Sequence, residues 1–261
     1  MLALYIFVGA LFFLYGVIIG SFLNVCILRI PRNETIVTTP SHCMSCGHKL
    51  AWYDLFPLFS YLFLGGKCRY CKTKISWQYP LVEFLNGVLY LITFLVMGIG
   101  RNVSETVYVF LICIFLSALL VLSGIDIRER IVPYKICAFI LVLGIIATII
   151  DYPNWLSHII GLFIISLPMF ILMMFNAMGA GDMVLYAAAG LFMGWQNTLL
   201  SFVFACLYGS VYSIGMFITK KAKFGDKTQI PFVPFIALGM MTAVLWGDRI
   251  INWYLGKFMI P

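Results

Sequence analysis

Residues 183–219 read MVLYAAAGLFMGWQNTLLSFVFACLYGSVYSIGMFIT and contain no charged side chain. A helix needs about 20 consecutive apolar residues to cross the hydrocarbon core of a bilayer, so this run is long enough for two crossings. We divide it at the polar stretch GWQN, residues 194–197, because glycine and polar residues interrupt helical patterns. The run therefore predicts two successive transmembrane helices.

The rest of the chain has a similar composition. Of its 261 residues, 63% are hydrophobic and 10% are charged, and the mean hydropathy is +1.03. Soluble domains carry about 25% charged residues, so this composition excludes an ordinary soluble protein. We predict an all-α polytopic membrane protein with about eight transmembrane helices. They are expected at residues 3–28, 80–99, 105–125, 132–150, 155–176, 180–195, 197–218 and 232–255.

The first of these runs is expected to stay in the mature protein. It has no charge before Arg29, no basic leader and no small-residue cleavage site after a short apolar core. Secretory signal peptides carry those features. We therefore interpret the run as a retained membrane anchor.

Basic residues are distributed unequally between the two sides that eight crossings define. Fourteen of the 17 lysines and arginines fall on the side that holds residues 29–74, 128–135 and 220–227. The other side holds Arg101, Arg249 and Lys257. Cytoplasmic loops carry the excess of basic residues, which predicts that the long polar loop is cytoplasmic and both termini are outside. The net charge of +7 then orients the chain in the lipid bilayer, and we expect no nucleic-acid partner.

The long polar loop contains two C-x-x-C pairs, Cys43 with Cys46 and Cys68 with Cys71. A two-residue gap lets both thiolates of a pair face one ion, and this spacing is typical of zinc-ribbon-like sites. Four thiolates fill the coordination shell, so the zinc would be structural. Two adventitious pairs or a thioredoxin-like redox site are the alternatives. We expect His42 and His48 to be solvated neighbours, and Cys26, Cys113, Cys137 and Cys206 to be buried in the membrane domain.

Four carboxylates lie at the cytoplasmic ends of predicted spans: Glu83, Asp126, Glu129 and Asp182. An ionisable group at a membrane helix centre costs on the order of 3 kcal/mol, so each needs an explanation. We interpret Glu129 as an exposed interfacial charge between two arginines. Two crossings separate Asp126 from Asp182, so both return to the cytoplasmic face and can meet there.

Asp182 follows Gly179, Ala180 and Gly181, and then a hydrophobic helix. Asp182 as the N-cap of a helix that begins at Met183 is one interpretation. Two glycines are more than a cap needs, and they favour a flexible turn that presents Asp182 to a partner or substrate. Converging carboxylates in a low-dielectric site share a proton, as in aspartic proteases. Proton-relay carboxylates of a transporter would give the same pattern.

Six segments, in this order along the chain, resemble the bacterial type IV prepilin peptidases, which are leader peptidases and N-methyltransferases of the GxGD aspartyl protease group. They are GSFLNVCILRIP (20–31), the two cysteine pairs, ISWQYPLVEFLNG (75–87), GIDIRERIVP (124–133), GAGDMVLYAAAGLFMG (179–194) and IPFVPFIALG (230–239).

The resemblance implies that Asp126 and Asp182 are the catalytic dyad, with Gly179 and Gly181 in the supporting turn. It implies cleavage of the basic leader of prepilins and pseudopilins at the cytoplasmic face of the bacterial inner membrane. It further implies methylation of the new N-terminal amine with S-adenosylmethionine, involving Gly66 and Lys67. Two positions depart from the family pattern: Val184 replaces a lysine, and Tyr134 replaces a polar residue.

The predicted organisation has three parts. Residues 1–30 form the first span, residues 31–78 form the zinc loop linked to methyltransferase activity, and residues 79–261 form a seven-helix domain with the peptidase site. Three alternatives remain at this stage: a carboxylate-relay transporter, a non-enzymatic membrane assembly factor whose zinc loop binds partners, and a peptidase that lacks methylation.

Overall fold

The computed structural model describes residues 2–100, 102–175, 179–219 and 230–258. In these ranges the chain is helical, and its only β pairings are two isolated bridges in the polar loop. The helices are α1 (Leu2–Arg29), α2 (Phe59–Phe63), α3 (Gln78–Met97), α4 (Val103–Glu129), α5 (Tyr134–Ile150), α6 (Trp155–Ile164), α7 (Ser166–Met174), α8 (Ala180–Met193), α9 (Trp195–Ile218) and α10 (Val233–Phe258). The all-α membrane fold predicted from the sequence is confirmed.

Each of the eight predicted spans corresponds to helical structure, but the segments differ in length. Six are long and apolar enough to cross a bilayer, while α5 and α8 have 17 and 14 residues. The predicted span 155–176 consists of two helices, α6 and α7, which meet at Ile165. The break between α8 and α9 falls at Gly194, where φ is +77°, a conformation that suits glycine.

The chain divides into two compact units, Met1–Ile99 and Gly100–Pro261. In the first unit α1 packs along α3 with very close backbones. A Cβ at Gly16 would lie 2.7 Å from the Asn86 carbonyl oxygen, and one at Gly20 would lie 2.7 Å from Glu83 Cα. Small residues four apart let membrane helices approach closely, so the GVIIG sequence of residues 16–20 specifies this contact.

The polar loop between α1 and α3 is tied down at its start. The buried Arg29 guanidinium donates hydrogen bonds to the carbonyls of Thr35, Thr39 and Pro40, at 3.1, 2.8 and 3.3 Å. Further along, Arg69 Nε pairs with Asp54 Oδ1 at 2.6 Å. The cationic end of α1 therefore serves as the anchor for the loop.

The second unit is built around α4, whose buried side chains include Phe115, Leu119, Leu122 and Ile125. α10 packs against α4 and α9, and α5 and α6 pack against α8. The backbones of α6 and α8 nearly touch, since a Cβ at Gly190 would lie 2.1 Å from the Gly161 carbonyl oxygen. This packing brings the C-terminal part of α4 and the N-terminus of α8 into one neighbourhood.

Candidate active site and metal centre

Asp126 lies in the last turn of α4, because the helix continues to Glu129 and not to 125 as the sequence predicted. Its side chain is buried, and Oδ2 accepts a hydrogen bond of 3.1 Å from the backbone amide of Val233. Val233 is the first residue of α10, where backbone amides lack partners within the helix. The start of α10 therefore orients the Asp126 carboxylate. Glu129, three residues later, is exposed, as expected.

Asp182 lies in the first turn of α8 and is half-buried. Its carboxylate is close enough to that of Asp126 for electrostatic repulsion between them, whereas Arg130 attracts the Asp126 carboxylate. The fold thus brings together the two carboxylates that the sequence paired. The other acidic residue at this end of α4, Glu129, faces solvent or lipid instead.

The Gly-Ala-Gly segment is not the flexible turn that the sequence suggested, because α8 begins at Ala180 and Gly179 is its N-cap. The N-cap interpretation of Asp182 is wrong for the same reason. Gly181 lies inside the helix, and a Cβ there would come within 2.7 Å of Val132 Cβ. At Gly179 a Cβ would meet nothing within 4 Å. Gly181 therefore lets the start of α8 pack against the segment that follows α4.

The four loop cysteines form one cluster. All four Sγ atoms lie within 4.8 Å of one another, and Cys43 Sγ is 3.7 Å from Cys71 Sγ. Tetrahedral zinc with Zn–S bonds of about 2.3 Å separates its sulfur ligands by roughly 3.8 Å, so the cluster fits such an ion. The histidines lie outside it: the His48 ring packs against the Tyr70 ring at an angle of 36°, and His42 Nδ1 is 3.2 Å from the Pro40 carbonyl.

The two cysteine pairs have the same backbone geometry. The amide of Gly47 donates to the Cys43 carbonyl at 2.8 Å, and the amide of Lys72 donates to the Cys68 carbonyl at 3.0 Å. Gly47 and Lys72 both have positive φ, +70° and +60°. This equivalence indicates two metal-binding knuckles related by local symmetry, rather than two unrelated turns.

The sulfur atoms do not ionise equally on their own. Hydrogen bonds from Thr73 lower the pKa of the Cys71 thiol to about 6. At Cys46 a backbone hydrogen bond from His48 is outweighed by desolvation and by neighbouring sulfurs, which raise the pKa to about 11. A divalent cation removes this conflict, because metal ligation requires every thiol as thiolate.

A cavity of about 440 Å³ lies in the first unit, between the end of α1, the start of α3 and the polar loop. Its wall includes Asn24, Tyr61, Cys68 and Glu83. The volume is within the range of small-molecule sites, about 300–1,000 Å³. The cavity therefore has room for a cofactor beside the cysteine cluster.

Gly66 and Lys67, the residues expected to serve methyl transfer, are beside this cavity and not in its wall. Gly66 has φ of +67°, and a Cβ there would lie 2.8 Å from Tyr61 Oη. Because Tyr61 does line the cavity, Gly66 shapes it indirectly. Lys67 is exposed and its backbone pairs with Lys74.

Sequence reasoning missed three contacts of these sites: the Val233 amide on Asp126, Val132 against Gly181, and Asn24 in the cavity wall. Val233, Val132 and Asn24 lie in segments that the sequence comparison singled out, 230–239, 124–133 and 20–31. The sequence assigned no role to any of the three residues. A backbone amide and an apolar contact leave no residue-type signal, so only the fold reveals them.

Two family models match the chain. Residues 14–97 match the bacterial peptidase A24 N-terminal domain, and residues 113–214 match the type IV leader peptidase family. Proteins named prepilin leader peptidase/N-methyltransferase are similar over nearly the full length. The protein from Bacillus subtilis is 29% identical, and the match covers 94% of this chain and 97% of that protein. The protein from Xanthomonas campestris pv. campestris is 32% identical, and the match covers 92% of each chain. The protein from Pseudomonas aeruginosa is 30% identical, and the match covers 93% of this chain and 91% of that protein. No solved structure matches the chain.

The matched regions contain every carboxylate and cysteine of the sites described above. These relatives cover 92–94% of the chain, so the similarity is not limited to one of the two matched regions. The chain therefore belongs to the type IV prepilin leader peptidase family.

Proposed function

We propose that the protein cleaves the leader peptide of type IV prepilins and pseudopilins with Asp126 and Asp182 as its catalytic dyad. The observation that carries this proposal is the electrostatic interaction between these two carboxylates, which come from different helices of the second unit. Its substrate class follows from the names of its relatives. Gly181 supports the dyad at the start of α8 through its contact with Val132, whereas Gly179, the N-cap, has open space around it.

The chemistry requires the two carboxylates to share one proton. The ionised carboxylate takes a proton from a water molecule, whose oxygen attacks the scissile carbonyl carbon. The protonated carboxyl donates a hydrogen bond to the carbonyl oxygen and then supplies a proton to the leaving amine. The Val233 amide holds Asp126 in a fixed orientation through this sequence.

The short length of α8 supports a site within reach of water near one membrane surface. Fourteen residues span about 21 Å, less than the hydrocarbon thickness of about 30 Å. If the C-terminus of α8 lies at one boundary of the hydrocarbon core, Asp182 at the start of α8 lies inside the core, close to the opposite boundary. The excess of basic residues in residues 29–74 and 128–135 favours the cytoplasmic boundary, with both termini outside.

The dyad is tested by leader cleavage of a prepilin with purified protein in liposomes. We expect Asp126→Asn and Asp182→Asn each to reduce the cleavage rate by at least about 1,000-fold, because an amide neither takes nor supplies the proton. Glu129→Gln is the matched control: it removes a charge three residues after Asp126 from an exposed side chain, and should cleave at the wild-type rate. Cleavage near the wild-type rate in either asparagine variant would disprove the dyad.

We further propose that Cys43, Cys46, Cys68 and Cys71 hold a structural zinc ion. The sulfur spacing and the matched knuckles support this proposal. With four thiolate ligands the ion has no open position for substrate or water, so it would stabilise the loop and take no part in catalysis. Zinc content near one ion per chain in the wild type, and its loss in Cys68→Ser, is the expected result from atomic spectroscopy.

The names of the relatives include N-methyltransferase, and we propose that this chain methylates the amine that cleavage exposes. The cavity of the first unit is the expected site, with Gly66 and Lys67 beside it. S-adenosylmethionine supplies a methyl group on a positively charged sulfonium. The residues of the cavity would bind and orient both reactants and exclude water from between them.

Three alternatives give different results in the same preparation. A peptidase without methylation would cleave the prepilin and transfer no labelled methyl group. A carboxylate-relay transporter or a membrane assembly factor would cleave nothing, and the assembly factor would keep its cellular effect without Asp126 and Asp182. The similarity to named peptidases over both units favours the enzyme.

A further inference from the structure

The Glu83 carboxylate lies in the wall of the cavity in the first unit and is only 7% exposed. Its Oε2 accepts a hydrogen bond of 2.8 Å from the Leu58 amide, and the Ser21 hydroxyl is a second hydrogen-bond partner. A carboxylate can accept about four hydrogen bonds, so these two leave capacity toward the cavity.

No cation of the described residues lies within 4.0 Å of this carboxylate, since the ion pairs found there are Asp54 with Arg69 and Asp151 with His158. The cavity wall contains four lysine and arginine side chains, those of Arg29, Arg32, Arg69 and Lys74, and none of them forms an ion pair with Glu83. Arg29 donates to three loop carbonyls, and Arg69 pairs with Asp54. Buried charges in proteins are usually paired, so the Glu83 carboxylate lacks the cationic partner that such a group normally has.

Asn24 adds an acceptor on the facing helix. Its Nδ2 donates to the Tyr79 carbonyl at 3.0 Å, while its Oδ1 is buried and has no hydrogen-bond partner. Across the two helices, Asn24 faces Tyr79 and Gly20 faces Glu83. Gly20 lies one turn before Asn24 in α1, and Tyr79 lies one turn before Glu83 in α3. The two acceptors are therefore about one helical turn apart on opposing helices, roughly 5–6 Å along the axis.

We propose that Glu83 and Asn24 form the binding subsite for the α-amine that receives the methyl group. This proposal rests on the proposed methyltransferase. Both side chains offer acceptors, which suit an organic cation that carries N–H donors. The α-ammonium of a processed pilin meets both requirements, whereas a sulfonium has the charge without the donors. The donor's own α-ammonium is the other source of this chemistry, and the experiment separates the two.

Glu83 also has a role in the transfer step. An ammonium has no free electron pair, so it first gives one proton to the Glu83 carboxylate. The neutral nitrogen then attacks the methyl carbon of the sulfonium donor, a C–N bond forms, and the C–S electron pair returns to sulfur. The product is a methylated ammonium, a neutral thioether and a protonated Glu83, which releases its proton to water.

The experiment measures binding to the full-length protein in detergent. The probes are a leader-free pilin peptide with a free N-terminal amine, the same peptide N-acetylated, S-adenosylmethionine and S-adenosylhomocysteine. Glu83→Gln is the test variant, because glutamine keeps an acceptor for the Leu58 amide and removes only the charge. Glu105→Gln is the matched control, since it removes the same charge from an exposed side chain of the other unit.

We expect the wild type to bind the free-amine peptide about tenfold or more tightly than the acetylated peptide, as a charge-assisted hydrogen bond implies. Glu83→Gln should remove this difference while leaving both nucleosides bound as in the wild type. Leader cleavage and zinc content should be unchanged in the variant. Glu105→Gln should behave as the wild type in every assay.

Two results would overturn the proposal. Equal binding of the two peptides by the wild type would mean that the cavity does not recognise the amine, and this comparison needs no variant. Loss of nucleoside binding in Glu83→Gln, with peptide binding retained, would assign the carboxylate to the donor. A wild type that discriminates between the peptides but transfers no methyl group would contradict the proposed methyltransferase and leave the amine subsite intact.

Discussion

At Gly181 the backbone of α8 passes so close to Val132 that a single methyl group has no room. We expect Gly181→Ala to push the start of α8 away from the segment after α4 and to displace Asp182. Catalytic groups must be held within fractions of an ångström, so the cleavage rate should fall about 100-fold. The measurement is leader cleavage under the conditions used for the wild type.

Gly179→Ala is the matched control for this prediction, because a Cβ there would meet open space and its φ of −74° suits any residue. Its cleavage rate should stay within about twofold of the wild type. An equal loss of cleavage rate in Gly179→Ala and Gly181→Ala would show that the two glycines act through backbone flexibility and not through the Val132 contact.

A second prediction at the residue scale concerns the amide of Val233. Proline is tolerated at the first position of a helix, so Val233→Pro removes the hydrogen bond to Asp126 and leaves α10 able to form. A hydrogen bond to a charged group contributes about 1.5–3 kcal/mol, which predicts a cleavage rate lower by about tenfold or more. Val233→Ala keeps the amide and should cleave as the wild type. Similar losses in both variants would indicate that the side chain is what matters.

Asp126 and Asp182 could be singled out from the sequence as candidates because a carboxylate in an apolar chain is conspicuous. The role of Gly181 could not, because its neighbour Val132 is distant in sequence and apolar. From the local sequence, two glycines around Ala180 favour a turn. In the fold, helical packing outweighs that preference.

At the scale of elements, residues 52–63 expose an unusual number of large apolar side chains. Trp52, Phe56, Leu62 and Phe63 are between 56% and 87% exposed. The amide of Leu58 bonds to Glu83, which lies five residues into α3, or about 7.5 Å along its axis. Aromatic side chains at that depth favour the interface between headgroups and hydrocarbon.

We therefore expect residues 52–63 to contact lipid. In liposomes that contain a photoactivatable phospholipid, mass spectrometry should find label in peptides covering 52–63. The polar residues 33–41 of the same loop are the internal control and should stay unlabelled. Equal labelling of the two segments, or label in neither, would contradict this prediction.

A further prediction concerns the cysteine cluster, which links the two ends of the loop. A chelator should release zinc and make residues 31–77 sensitive to limited proteolysis, because four-thiolate sites stabilise small folds directly. Peptides from the second unit should be cut as before, since none of its described residues belongs to the cluster. Unchanged protection of the loop after complete zinc removal would mean that its own packing holds it.

Most helices could be predicted because apolar length alone defines a membrane span. The exceptions have tertiary causes. The chain bends at Ile165 within a run that looks continuous, and α4 extends past Asp126 although charged residues begin there. The latter extension ends at Arg130, whose amide bonds back to the Asp126 carbonyl in a left-handed cap.

For the whole molecule, the unequal distribution of basic residues leads to a prediction of sidedness. Lys49, Lys72 and Lys257 are all exposed, but eight crossings put the first two on one side and the third on the other. Basic loops stay in the cytoplasm, so Lys49 and Lys72 should face it. A membrane-impermeant amine reagent should modify them in inverted vesicles and leave them unmodified in spheroplasts.

Lys257 should give the opposite result, which makes it the control within the same protein. Modification of Lys257 in spheroplasts requires an odd number of crossings between the polar loop and the C-terminus, seven in the predicted topology, so the assay also tests whether the short helices α5 and α8 cross the membrane. If Lys49 and Lys257 react from the same side, one of these helices does not span. Failure of α8 to cross would leave Asp126 and Asp182 on the side of the polar loop, whereas failure of α5 would put the two carboxylates on opposite sides and contradict the dyad.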